Sequence, residues 1–251
     1  MSLVVDLNSD LGEGAGFDAK ILELVTSANI SCGVHAGDPT SVLRSIRDAA
    51  EKNVSIGAHP SLFDRENFGR REMAVEPAEV FAQVAYQLGA FGTLATAATV
   101  RVNHVKPHGA LYNMAARDES LAEAIIRAIL VVDPFLILFA PSHSALESVA
   151  MAAEIRIVRE VFADRNYLND GSLVPRTRSD ALLTDPEEAA RRVVRMLKEG
   201  KVKAVDGADI EVQAETICVH GDTPGAVDFV RNLRVELELQ DVRIRPPASL
   251  V

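Results

Sequence analysis

Short apolar runs that place a polar residue at every second position, each followed by a stretch of helical spacing, constrain this chain more than any other feature. Successive side chains of a strand point to opposite faces. Asp6, Asn8 and Asp10 therefore share one face while Val5, Leu7 and Leu11 share the other, and Asn29, Ser31 and Gly33 oppose Ala28, Ile30 and Cys32. His104, Lys106 and His108 oppose Val105 and Pro107; Cys218, His220 and Asp222 oppose Ile217 and Val219. An open doubly wound sheet meets helices on both faces and needs both to be apolar. One polar face fits a closed barrel, with helices outside and a wet site inside.

The pattern predicts seven strands, near 4–8, 28–32, 54–58, 102–106, 135–140, 155–161 and 215–219. The fifth, FLILFA, is apolar on both faces and does not discriminate. Helical spacing joins Val42, Leu43, Ile46, Ala49 and Ala50, then Ala189, Ala190, Val193, Val194 and Leu197, then Ala226, Phe229, Val230, Leu233 and Leu237. Asp38-Pro39, Asp185-Pro186 and Thr223-Pro224 each set a capping oxygen before a proline suited to the first helical position. No Gly/Ser linker and no repeat of fixed period interrupts the series. The expected fold is α/β, a single-domain, closed or nearly closed seven-stranded (β/α) barrel over residues 1–251.

Polar residues gather at the carboxyl ends of these strands, where loops from distant segments converge in parallel α/β folds. In chain order they are Asn8, Asp10 and Glu13; His35 and Asp38; His59, Asp64, Arg70 and Arg71; Lys106 and His108; Ser142 and His143; Glu160, Asp164 and Arg165; His220 and Asp222. Five of the six histidines fall on this rim. Asp10 and Glu13 can act as base and proton carrier if one is desolvated, although Asp10 would also serve as a helix cap. Lys106 points inward by parity, and an ammonium there is costly without an anion beside it. Arg70-Arg71 reads as a clamp for carboxylate or phosphate, or as a solvated pair. Asp10, His35 and His59 offer donors that zinc or manganese takes, though their spacing fits no fixed metal motif. HGDTPGA, opening a helix, offers backbone N–H groups to an anion. The connections 60–77 and 162–185 lack helical period and read as lids or binding loops.

Other classes are disfavoured. With 26 Lys+Arg against 36 Asp+Glu the net charge is −10, and no Trp and three Tyr supply few stacking platforms, so neither nucleic acid nor an anionic membrane is an expected partner. The start lacks a basic n-region, and the most apolar stretch, 124–141, is broken by Arg127, Asp133 and Pro134. Cys32 and Cys218 form no CxxC pair and read as small buried thiols of a reducing, cytoplasmic compartment. GxxxxGK[ST], GxSxG and HExxH are absent, and GEGAG does not fit GxGxxG.

Taken together, DLNSDLGEG, SANISCGVHAGDP, IGAHPSLFDRENFGRR, HVKPHGALYN, EVFADRNYLNDGSLVPR and ICVHGDTPGA, in this order, closely resemble the LamB/YcsF family from about residue 4 to residue 235. Ser31 and Val34 stand where members often carry Ala and Phe, and neither change touches a titratable group. The resemblance implies a seven-stranded barrel of the glycoside hydrolase/deacetylase type. It also implies ATP-dependent hydrolysis of 5-oxo-L-proline to L-glutamate, as one subunit of a 5-oxoprolinase whose B and C subunits are separate chains. ATP is the implied cofactor, with Mg as the divalent metal accompanying it.

A five-membered lactam is a stabilised amide with a poor leaving group, and phosphorylating its oxygen would activate it. Going beyond the resemblance, Lys106 and Arg70 are expected to hold phosphate or the substrate carboxylate, with Asn8, Arg71 and Asp222 as further binding groups. Asp10 or Glu13 would move the proton, while His35, His59, His108 and His220 form a hydrogen-bonded wall and Glu160, Asp164 and Arg165 organise the opposite side. Two rivals predict different chemistry: a metal-dependent deacetylase working without ATP, and a non-catalytic anion-binding scaffold.

Overall fold

A computed structural model describes residues 3–220 and 225–247. Seven parallel strands close on themselves: β1 (Leu3–Leu11), β2 (Ser27–Ser31), β3 (Ser55–His59), β4 (His104–Val105), β5 (Ile137–Pro141), β6 (Ile157–Phe162) and β9 (Thr216–Val219), which pairs with both β6 and β1. The barrel predicted from strand parity is therefore present. Pairing runs Asp10–Asn29–Gly57–His104–Ile137 from strand to strand, a staggered path of inward-facing residues.

Three strands fall outside the expected set. β7 (Lys201–Lys203) and β8 (Asp209–Glu211) form an antiparallel hairpin, and β10 (Val242–Ile244) lies parallel to the first residues of β1. β4 is shorter than the predicted 102–106. Pro107 has no N–H to extend the ladder, and the Lys106 carbonyl lies 2.7 Å from His59 Nδ1 instead of joining it.

Local chemistry sets the helix ends. In α2 (Pro39–Glu51) the Asp38 side chain accepts from the Thr40 and Ser41 N–H groups while Ser41 Oγ accepts from the Asp38 N–H, closing a capping box ahead of Pro39. The Asp185 side chain caps α7 (Pro186–Glu199) by accepting from the Glu187 and Glu188 N–H groups, and Gly200 ends the helix in the left-handed conformation at φ 66°. Around the barrel stand α1 (Asp18–Ile21), α3 (Pro77–Ala97), α4 (Gly109–Ala115), α5 (Glu119–Val132), α6 (Ala145–Ala152) and α8 (Ala226–Leu239). The Thr223-Pro224 start signal lies outside the described residues.

Outward side chains of the strands, such as Leu7, Ile30, Ala58, Val105, Leu138, Val161 and Ile217, pack on Ile46, Val84, Phe91, Ile125, Ile129, Val193 and Leu233 of the helices in one buried core. Burying each large apolar group contributes about 1.5–3 kcal/mol. Truncating Phe91, 1% exposed, to Ala would cost about 3–5 kcal/mol because the cavity cannot fully collapse. A second, smaller apolar cluster lies inside the barrel: Ile137, Phe139 and Val158 near the amino ends of β5 and β6. It explains the uninformative fifth strand, whose outward face meets helices and whose inward face builds this layer. Phe139 stacks under His104 with ring centroids 4.1 Å apart. Gly57 leaves room for that imidazole, since a Cβ there would sit 2.1 Å from His104 Nε2.

Candidate active site

Above the apolar layer the interior is a continuous polar network, as burial without partners would be costly. Asp6 accepts from Thr26, Ser27 and Thr216. Burial raises its carboxyl to about 6 even though those hydrogen bonds lower it. Asn8 donates to Glu160 (3.0 Å) and Thr216 (2.7 Å), and Asn29 donates to Asn8 (2.7 Å) and Asp10 (2.9 Å). His104 Nε2 lies 2.9 Å from Asn29 Oδ1. Burial, with the Lys106 ammonium close by, pulls the His104 imidazole down to about 3.

Lys106 stands at the centre. Its Nζ lies 2.9 Å from Asp10 Oδ1, 2.9 Å from Glu160 Oε1 and 3.1 Å from Cys218 Sγ. Burial alone would favour the neutral amine, but the Asp10 and Glu160 carboxylates outweigh it and hold the ammonium well above the ordinary lysine range. Asp10 is the counterpart: burial pushes it up, and the Lys106 ammonium overcomes this and holds it well below the usual carboxylate range. Cys218 stays a neutral thiol because burial outweighs the pull of Lys106. This thiol faces the interior polar network, whereas its sequence context suggests only a small buried group.

Beside the lysine sits an imidazole group. His35 Nε2 is 3.0 Å from Glu13 Oε1, and the His35 and His108 rings stack at 3.8 Å with 5° between planes. His108 Nδ1 is 2.9 Å from His59 Nε2, and His108 Nε2 is 2.9 Å from the Phe68 carbonyl. Burial lowers His35 and, together with its imidazole neighbours, lowers His108 further. The loop after β3 makes this arrangement. The Arg65 guanidinium donates to the carbonyls of Gly33, Val34 and Gly37, which pins the loop onto the turn after β2 and brings Phe68 over His108.

A third part of the rim pairs His220 with Asp164. The carboxylate accepts from the His220 backbone N–H (3.0 Å) and lies 2.8 Å from its Nδ1. Burial would raise Asp164, but His220 outweighs it and lowers the carboxyl.

The structure thus brings together Asn8, Asp10, Glu13, His35, His59, Lys106, His108, Glu160, Asp164 and His220. Arg70 stays at the edge, its guanidinium 4.7 Å from the centre of the Phe68 ring. Three expected positions do not converge. Arg71 is exposed and, among the described residues, pairs with Asp64 at 3.5 Å. Arg165 turns into its own loop and donates to the Val174 carbonyl at 2.7 Å. His143 is exposed at the start of α6. Strand parity does not extend into loops, which is why these side chains escaped it. Asp222 and the anion site read into HGDTPGA lie outside the described residues.

Asp6, Asn29, His104, Thr216 and Cys218 belong to the network but are not among the expected site residues, although alternation puts most of them on the inner face. Tyr112 gives no sequence signal; burial and the Glu160 charge hold its phenol well above the ordinary range.

The LamB/YcsF family profile matches residues 5–251. The A subunit of the 5-oxoprolinase of Bacillus licheniformis is 49% identical over 246 residues, covering 96% of this chain and 97% of its own. Its Oceanobacillus iheyensis counterpart is 48% identical, covering 98% and 97%. A crystal structure of the lactam utilization protein from Thermus thermophilus superposes with a TM-score of 0.89 at 46% identity, covering 97% of this chain and 99% of that one. A T48 deacetylase solved with substrate shares the fold, with a TM-score of 0.51 at 13% identity over 97% of this chain and 87% of its own.

Proposed function

The chain belongs to the LamB/YcsF family, and on that premise we propose that it is the lactam-opening subunit of a 5-oxoprolinase, hydrolysing 5-oxo-L-proline to L-glutamate in an ATP-dependent assembly with B and C subunits. The observation that carries this reading is the buried Lys106 ammonium between Asp10 and Glu160, next to an imidazole cluster. An ammonium so placed can bind the substrate carboxylate, or a phosphoryl group on the lactam oxygen, by turning one N–H away from its present partners.

Asp10 Oδ2 lies 3.4 Å from His59 Nε2 and can take the proton of an attacking water. His220, donating through Nδ1–H to Asp164, keeps Nε2 to exchange a proton with the departing ring nitrogen. Water oxygen bonds to the lactam carbonyl carbon, the ring C–N bond breaks, and the nitrogen leaves as the amine of glutamate. ATP would supply the phosphoryl group that activates the lactam oxygen, leaving ADP, and that phosphoryl group would depart as phosphate when the lactam opens.

The test is glutamate and phosphate release from 5-oxoproline plus ATP, measured with the chain alone, the B and C subunits alone, and all three. Turnover by the full set only is expected; no glutamate from the full set would end the reading. A deacetylase is the second reading, favoured by the convergence of Glu13 with three imidazoles, and it predicts acetate release from acylated substrates without ATP.

A further inference from the structure

We propose that Glu13, His59 and His108 bind one divalent transition-metal ion of the zinc class, with His35 holding the Glu13 carboxylate in place. The inference rests on hydrogen accounting and stands apart from the lactam reading. A carbonyl only accepts, so the His59 nitrogen 2.7 Å from the Lys106 carbonyl and the His108 nitrogen 2.9 Å from the Phe68 carbonyl each carry their ring's hydrogen. A neutral imidazole has one N–H. With both rings in the neutral form that ligates a metal, His59 Nε2 and His108 Nδ1 turn bare lone pairs toward each other across 2.9 Å. Glu13 Oε1 adds a third acceptor, 3.4 Å from His108 Nδ1 and 3.9 Å from His59 Nε2. Three buried acceptors pointed together repel unless a cation lies among them.

The spacing suits an ion. Zinc–nitrogen and zinc–oxygen bonds of about 2.1 Å set tetrahedral ligand–ligand edges of about 3.4 Å. The three separations here, 2.9, 3.4 and 3.9 Å, bracket that value. Both histidines also spend their other nitrogen on a backbone carbonyl, the usual way that a ligating imidazole is oriented. His35 is excluded as a fourth ligand by its stacking. Parallel rings 3.8 Å apart direct their in-plane lone pairs side by side, so His35 and His108 cannot converge on one ion. Its Nε2, 3.0 Å from Glu13 Oε1, makes it a positioning residue. Imidazole with carboxylate selects zinc or manganese over calcium or magnesium. An ion there would neighbour Asp10 and supply a Lewis acid for polarising an amide carbonyl oxygen.

The test titrates chelator-treated full-length chain with zinc chloride or manganese chloride alone, read by calorimetry and by elemental analysis after gel filtration. One ion per chain is expected. Glu13→Gln and His108→Ala should each lose it, with far-UV circular dichroism reporting the fold; Glu13→Gln, being isosteric, carries the test if His108→Ala does not fold. His35→Ala should keep the ion with ~10–100-fold weaker affinity. His220→Ala, in the separate Asp10–Cys218–His220 group, should bind as before. Failure to take up either ion would overturn the proposal. So would loss of the ion in His220→Ala with retention in Glu13→Gln, or a ¹⁵N spectrum showing one proton shared by His59 and His108 that metal does not displace.

Discussion

Replacing Lys106 with methionine keeps the length and apolar stem of the side chain and deletes only the charge. In the wild type the ammonium serves two buried carboxylates, Asp10 and Glu160, each 2.9 Å away. Removing one partner of a buried ion pair costs about 3–5 kcal/mol. With two acids left behind, the upper part of that range, about 4–5 kcal/mol, applies. In a chain of this size each kcal/mol moves the melting temperature by about 2–4 °C, so a drop of roughly 8–20 °C is expected near neutral pH.

The pH dependence sharpens the test. Wild-type Asp10 is held below its unfolded value, so its stabilisation is present above about pH 4 and lost as pH falls through the folded value. In Lys106→Met burial acts on Asp10 unopposed by the ammonium, and this acid takes up a proton in the folded state more readily than it does in the wild type. The stabilisation that wild-type Asp10 contributes as pH rises is thereby lost in the variant. The gap between wild type and variant should widen from about pH 5 to about pH 8, measured by thermal melts at matched ionic strength. A shift below about 2 °C throughout, or a gap that narrows with rising pH, would refute the reasoning that this ammonium neutralises the two acids.

Other outcomes follow from single contacts. Gly57→Ala puts a Cβ where His104 stands, and should destabilise by about 1–3 kcal/mol in urea unfolding while His104→Ala in the same background restores part of the loss. His104, pulled to about 3, takes no proton in the folded state where the unfolded chain does, so stability should fall as pH drops from about 6.5 toward 3. His104→Gln should flatten that slope, and an unchanged slope would place the acid sensitivity elsewhere. Asp164→Asn loosens the His220 ring and should lower kcat of the coupled reaction about 100-fold with little change in KM; full turnover would remove His220 from proton transfer.

Much of the site was visible in alternation alone. Asn8, Asp10, Lys106 and Glu160 sit on strands or at their ends, where a period of two fixes the facing, and the same rule located the barrel. Glu13, His35 and His108 follow strands closely enough to inherit the position. Contacts made through backbone carbonyls were invisible. Nothing in the sequence announces that Arg65 grips Gly33, Val34 and Gly37, or that Arg192 of α7 anchors the connection after β6 through the carbonyls of Ala163 and Arg165. The hairpin of β7 and β8 escaped for a related reason: its alternation is exposed–buried–exposed over three residues, too short to stand out.

The buried apolar layer of Ile137, Phe139 and Val158, flanked by Asp6, Ser27 and Thr216, makes the barrel a cul-de-sac. What goes in must back out by the same door. Arrival and departure then exclude each other, and on the function proposed above a partner subunit handing over an activated substrate would have to cover that doorway and uncover it again within every cycle.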